Sequence, residues 1–146
     1  MRKFWMMFLL MGVVAANAQA SGHLVVEQAW IRTAPPGAMM LAGYATIRNE
    51  GDASLTLTGA DSADFGSVSI HESAMKNGVE HMHPLDRLDI VPGARVEFSP
   101  AGKHFMLMRP THGLKSGAKV KIHIVTETGE GATAEFKVLD DAPVAH

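Results

Sequence analysis

The chain has 146 residues, a net charge of −2 at neutral pH, eight histidines, ten methionines and no cysteine. That length suits a single domain with one core. The nearly balanced charge and the few aromatic residues exclude a nucleic-acid-binding protein. Without cysteine, disulfides, thiolate catalysis and cysteine-based zinc or copper sites are excluded too.

Residues 1–20 have the pattern of a secretory signal peptide. Arg2 and Lys3 form a positive start, an apolar run occupies residues 4–15, and residues 18–20 (AQA) offer a small-residue cleavage site. The run is too short to span a membrane, and there is no cysteine to carry a lipid anchor. We expect cleavage after Ala20, export to the periplasm and no stable membrane insertion; an uncleaved anchor helix is the alternative.

Short β-type runs follow, separated by Gly, Pro, Asn and Asp, and no segment has a helical period. They predict an all-β domain over residues 21–139, an antiparallel β-sandwich with Greek-key connections. Residues 140–146 are expected to form a short flexible tail. The predicted strands lie near residues 23–32, 41–49, 54–60, 66–73, 78–84, 88–91, 95–100, 103–108, 119–127 and 132–138.

The strand at residues 103–108 combines two kinds of side chain. Alternation places His104 and Met106 on one face and Phe105 and Leu107 on the other, which is the expected core side. Residues two apart on a strand have Cα atoms about 6.5–7 Å apart. An imidazole and a thioether at that spacing can converge on one metal ion.

Two other strands carry donors of the same kinds. His71 shares a polar face with Ser69, and Met82 lies on the face opposite its neighbours His81 and His83. If these strands neighbour the one that bears His104, two imidazoles and two thioethers meet. Soft thioethers with imidazoles favour Cu(I), whereas Zn²⁺ prefers cysteine or carboxylate. The alternative is that the methionines only fill gaps in the core.

The order His71-x10-Met82-x21-His104-x-Met106 resembles the copper-binding motif of the periplasmic copper chaperones called PCuAC. The similarity extends over residues 25–138 and includes AWIRTAPPGAMMLAGYATIRNEG, VSIHES and PAGKHFMLM. It implies a cupredoxin-like β-sandwich that binds one Cu(I) through these four residues. It also implies delivery of copper to cytochrome c oxidase as the client, with a thioredoxin-like partner of the Sco type.

Other residues offer secondary metal donors. In a regular strand His81 and His83 point away from Met82 into solvent, whereas a bulge would turn them inward and favour Cu(II) or Zn²⁺. Cleavage after Ala20 would expose Ser21-Gly22-His23, whose amine, amides and imidazole can wrap Cu(II) in a square plane. Met75 and Met108 are spare thioethers that can relay copper. A further copper site on the tail, which contains only His146, is not expected.

Three functions fit this pattern to different degrees. The first is a copper chaperone with a dedicated client, and the second is a periplasmic copper buffer or tolerance protein with the same site and no client. The third is an enzyme, which needs an open coordination position and a general base. The carboxylates nearest the motif are Glu72 and Glu80, which are better explained as solvated charges, so we expect no enzymatic activity.

Overall fold

The computed structural model describes residues 21–129 and 131–144. Within these ranges the chain forms ten strands and no helix, so the predicted all-β class is confirmed. In chain order they are β1 (Leu24–Arg32), β2 (Met40–Asn49), β3 (Leu55–Asp61), β4 (Phe65–Lys76), β5 (Val79–Pro84), β6 (Leu88–Ile90), β7 (Arg95–Phe98), β8 (Lys103–Pro110), β9 (Lys119–Thr126) and β10 (Ala132–Leu139).

The strands form one sheet in the order β5-β4-β8-β7-β2-β1-β10-β9-β3-β6. β8 also pairs directly with β2, where Leu41 lies opposite Leu107. A pairing between Ala60 of β3 and Val68 of β4 joins distant parts of the sheet. As a result, β4, β8, β2, β1, β10, β9 and β3 close into a ring, and β5 extends from β4 as an edge strand.

The core lies inside this ring, where alternate side chains of the strands meet. Phe105 is fully buried in this core, with its ring centroid 4.6 Å from that of Phe98 and 5.7 Å from that of Phe136. Burial of each such side chain contributes roughly 1.5–3 kcal/mol to folding. The largest fully buried side chains are Phe105, Phe136, Ile31, Ile47, Leu57, Ile70, Ile90, Leu107, Ile122, Ile124, Val120 and Val138.

A tight hairpin joins β4 to β5. Lys76 pairs with Val79, which leaves Asn77 and Gly78 as a two-residue turn. Both have positive φ, 53° and 76°, as a type I′ turn requires, and Asn-Gly is the preferred sequence for that turn. β4 therefore continues to Lys76, three residues beyond its predicted end, because pairing with β5 extends it past the end of β8.

The expected antiparallel pairing is wrong for two pairs of strands. β1 runs parallel to β10, with Trp30 opposite Lys137, and β7 runs parallel to β8 where Phe98 meets Lys103. The β9–β10 hairpin fixes the direction of β10, and the position of β10 between β9 and β1 leaves it parallel to β1.

The predicted signal peptide, residues 1–20, and the last two residues of the predicted tail lie outside the described residues. In the part of the chain that is described, no helix has the length and apolar character needed to cross a bilayer.

Candidate metal site

β8 supplies the two most buried donors of the motif. His104 is 5% exposed and Met106 is 8% exposed, and they lie on the face opposite the fully buried Phe105 and Leu107. The core thus fixes the strand from one side while the donors occupy the other. His104 Nδ1 lies 3.2 Å from the carbonyl oxygen of Gly102. A carbonyl only accepts, so Nδ1 carries the proton and the Nε2 lone pair is free to bind a metal.

The pairing of β4 with β8 brings the second imidazole to the same face. His71 lies directly opposite His104, and Ser69 lies opposite Met106. The two imidazole centroids are 6.1 Å apart, with 28° between the ring planes. Since a metal–nitrogen bond is about 2.0–2.1 Å, rings that share one ion have centroids about 5–6 Å apart. The observed separation is close to the one that a shared metal ion requires.

The surroundings of His71 favour its neutral imidazole. Burial, followed by the nearby His104 and His83, lowers the pKa of His71 below its ordinary value. A neutral ring offers a lone pair to a metal, whereas a protonated ring does not. The Nε2 atom of His71 lies 3.0 Å from the hydroxyl of Ser69, which holds the ring in place.

β5 brings Met82 to the same face at a more exposed position. Met82 lies directly opposite Ser73, which is two residues from His71 on β4, and residues at that spacing share a face. Its side chain is 50% exposed. Met82, His104 and Met106 line one cavity of about 220 Å³. His71 is not part of the cavity wall but stacks beside His104.

The face that carries the four residues is concave. β5 and β2 are separated by β4 and β8, which in a flat sheet would place them about 14 Å apart. Nevertheless, Met82 of β5 and Tyr44 of β2 line the same small cavity. Tyr44 is itself held by Trp30, with ring centroids 5.0 Å apart. The sheet therefore curves so that the exposed edge strand approaches a rigid aromatic wall.

Met40 is a thioether of this cavity that sequence reasoning did not single out. It lies opposite Met108 on β8, lines the cavity with Met82 and Met106, and is 52% exposed. The signal that could have located it is the motif MMLAGY, in which Met40, Ala42 and Tyr44 alternate onto one face. That β2 pairs with β8 is a long-range contact that this local pattern does not reveal.

The spare donors are less well placed. Met75 and Met108 lie on the same face as the motif by register, but neither lines the cavity. Glu80 does line it, two residues from Met82. The other nearby carboxylate, Glu72, lies on the opposite face and forms an ion pair with Lys103 at 2.8 Å.

His81 and His83 lie on the face opposite Met82. The β4–β5 register is regular, with Ala74 opposite His81 and Glu72 opposite His83. The bulge that would have turned these imidazoles toward the motif is therefore not formed. Both side chains are exposed, on the face that continues outward from the core side of the sheet.

The segment Ser21-Gly22-His23 is tied into the fold. The His23 N–H donates to Asn49 Oδ1 at 3.2 Å, and the Asp52 N–H donates to the Ser21 carbonyl at 2.9 Å. A square-planar Cu(II) site at this end would have to deprotonate the amide of His23 and break its hydrogen bond. The fold opposes such a site, which stays a prediction that depends on the point of cleavage.

Harder donors do not form a ready site elsewhere in residues 21–129 and 131–144. No group of three or more His, Cys, Asp or Glu side chains there is arranged to hold a metal ion. The thioethers are therefore essential to the candidate site, because His71 and His104 alone supply only two donors.

The protein is therefore an all-β domain in which three adjacent strands, β5, β4 and β8, carry imidazole and thioether side chains on one face. Residues 24–138 match the family described as "Putative lipoprotein LpqE-like", and the chain belongs to that family. The "Putative lipoprotein Lxx21020" of Leifsonia xyli subsp. xyli (strain CTCB07) is 30% identical over 130 residues, covering 86% of this chain and 77% of the relative.

Solved PCuAC domains share the fold. The copper-bound PCuAC domain from PmoF2 has a TM-score of 0.67 at 23% identity, over 83% of this chain and 99% of that domain. The solution structure of CuI-DR1885 from Deinococcus radiodurans has a TM-score of 0.60 at 26% identity, over 86% of this chain and 84% of the other. The resemblance to the PCuAC family inferred from the sequence is thereby confirmed.

Proposed function

We propose that this protein is a periplasmic copper chaperone that binds one Cu(I) through His71, Met82, His104 and Met106. The observation that carries the proposal is the strand register, which puts two imidazoles and two thioethers on one concave face of β5, β4 and β8. These are the donors that Cu(I) prefers. The 26%-identical DR1885, whose structure was determined with Cu(I), supports the choice of metal.

The proposed site is suited to transfer as well as to binding. His104 and Met106 are buried donors that hold copper in place, while Met82 and Met40 line the same cavity and are half-exposed to solvent. Neutral thioethers exchange without a proton, so an incoming protein can replace the half-exposed ligands one at a time. We assign Met40 the role of an auxiliary thioether that copper contacts on entry or exit.

The first experiment measures Cu(I) stoichiometry and affinity by anaerobic competition with a chromophoric chelator. The unaltered chain is expected to bind one Cu(I). Changing both His104→Ala and Met106→Ala removes half of the ligands. Loss of a single outer contact to a metal ligand already costs about 10–100-fold in affinity, so the double variant should lose at least about 100-fold.

A matched double variant, Met39→Ala with His112→Ala, removes one thioether and one imidazole outside the proposed site. It should bind copper as the unaltered chain does. Equal Cu(I) affinity in the two double variants would contradict the proposal. Circular dichroism of both variants shows whether either has lost its fold.

The delivery of copper to cytochrome c oxidase, with a thioredoxin-like partner of the Sco type, rests on the family resemblance. The alternative is a periplasmic buffer or tolerance protein that has the same site but no dedicated client. Deletion of the gene separates the two. Loss of oxidase assembly at ordinary copper levels supports delivery, whereas copper sensitivity with normal oxidase supports buffering.

Three further expectations belong to this proposal. Residues 1–20 direct export and are removed, leaving residues 21–139 as the copper-binding domain. The closed sheet is a cupredoxin-like sandwich with Greek-key connections. The protein is not an enzyme, because the proposed donors hold the ion as cargo; turnover by copper-loaded protein in a redox or hydrolase assay would contradict this.

A further inference from the structure

The outer face of the β4–β5 hairpin carries a second group of metal donors, distinct from the proposed copper site. His81 and His83 are exposed and, two residues apart on β5, project to the same side. Their Cα atoms are separated by about 6.5–7 Å at the usual strand rise. Two imidazoles at that spacing can chelate one ion.

A carboxylate lies beside this pair. Glu72 is opposite His83 in the register, and its Oε1 is 3.9 Å from His83 Nε2. Lys103 binds the other oxygen, Oε2, at 2.8 Å, which leaves Oε1 turned toward His83. The residue opposite His81 is Ala74, whose small side chain leaves room above the strand for an ion and its water.

We propose that His81, His83 and Glu72 form a second metal site that takes Cu(II) or Zn²⁺ rather than Cu(I). Two nitrogens and one oxygen are borderline-to-hard donors, and Cu(II) accepts such a set in a tetragonal geometry completed by water. No thioether lies on this face of β5, since Met82 points to the other. The three donors are not preassembled, so rotation of the exposed imidazoles completes the site.

The two sites would lie on opposite faces of β5, with Cu(I) bound on one face and Cu(II) on the other. Met82, between His81 and His83 in sequence, faces the cavity lined by His104 and Met106. The histidines face solvent on the other side. The inference goes beyond the proposed function, because it neither requires nor alters the four-residue Cu(I) site.

The test uses Cu(II) as the probe on the exported protein. Ag(I), a redox-silent mimic of Cu(I), first fills the soft site, and His23→Ala removes the imidazole of the competing N-terminal site. Electron paramagnetic resonance then counts bound Cu(II) and reports its nitrogen ligands. We expect one Cu(II) with two imidazole nitrogens.

In that background, His81→Ala with His83→Ala should weaken Cu(II) binding at least about 100-fold, as expected when both nitrogen ligands are lost. The control variant, His112→Ala with His123→Ala, changes two histidines outside the hairpin and should keep the Cu(II) affinity within twofold of the parent. Glu72→Gln should weaken it several-fold. Unchanged binding in the His81/His83 variant, or no Cu(II) bound by the parent, overturns the proposal.

A third arm keeps the inference separate from the proposed function. The His104→Ala/Met106→Ala variant should lose Cu(I) and keep its Cu(II). If Cu(II) is lost there instead, it was bound at the cavity and the second site is refuted. Should the alanine pair at 81 and 83 unfold the hairpin, His81→Asn with His83→Asn repeats the measurement with polar side chains.

Discussion

The two sides of the proposed copper site differ in how firmly the fold holds them. On β8, His104 and Met106 are almost fully buried, and the strand is paired on both sides and fixed by the core. On β5, every residue is exposed, and Met82 reaches the same cavity from an edge strand that pairs with β4 alone among the described strands. One side is anchored and the other is open.

This difference separates two requirements of a carrier. A metal must be held in a defined geometry, which buried donors on a packed strand provide. It must also leave, which exposed donors allow because an acceptor can reach them. An edge hairpin supported by few apolar contacts opens more easily than the core. In the proposed function, binding therefore depends mainly on β8 and release on β5.

The largest effect is expected on the anchored side. Met106→Leu nearly preserves side-chain volume, so the fold should lose less than about 1.5 kcal/mol. It removes a buried sulfur of the proposed site, and Cu(I) affinity should fall at least about tenfold, measured by chelator competition. Met108→Leu, on the same face but outside the cavity, is the control. Equal affinities for the two variants would mean that Met106 is not a ligand.

A smaller effect is expected on the open side. Met82→Leu removes an exposed thioether whose ordering on metal costs side-chain entropy, so its net contribution to Cu(I) affinity should be below that of Met106. The same competition assay ranks the two variants, and stopped-flow transfer to the chelator should show faster release from Met82→Leu. A loss as large as that of Met106→Leu would contradict the division into anchored and open sides.

The smallest effect concerns the far ends of β8 and β4, where His112 after β8 meets Asp64 before β4. The His112 Nε2 lies 2.8 Å from Asp64 Oδ1, and this hydrogen bond, helped by the Gly113 carbonyl, raises the pKa of His112. A raised folded-state pKa gives stability that is complete below the unfolded value of about 6.5 and is lost as pH rises through the folded value.

His112→Ala should therefore lower the melting temperature more at pH 5.5 than at pH 9. The difference should not exceed about 2 °C, because the pair is exposed to solvent. Asp64→Asn should abolish the same pH dependence. An equal effect of His112→Ala at both pH values would show that the charge of His112 does not contribute to stability at this end of the sheet.

Local patterns were enough to predict much of the fold. Alternation predicted Phe105 and Leu107 as the core side of β8, and both are fully buried. The Asn77-Gly78 dipeptide has the residues that the observed type I′ turn prefers. Alternation also predicted that His81 and His83 face away from Met82, and the regular register agrees.

Other features depend on contacts between distant residues, which local patterns do not encode. The position of Met40 at the cavity follows from the pairing of β2 with β8, more than sixty residues apart along the chain. The burial of His104 and the exposure of Met82 follow from sheet order and curvature. The parallel pairing of β1 and β10 could not be predicted from local patterns either, because it depends on the position of β10 between β1 and β9.

That place has a consequence for how the molecule acquires its structure. β10 lies between β1 and β9, and Arg32 donates a hydrogen bond to the carbonyl of Asp140 across 108 positions of sequence. Loops of that length close late, and such contacts slow folding. Until the final strand arrives, β1 and β9 each present an unpaired edge that invites aggregation. Insertion of β10 between β1 and β9 is therefore the step that converts an open, aggregation-prone sheet into a closed one.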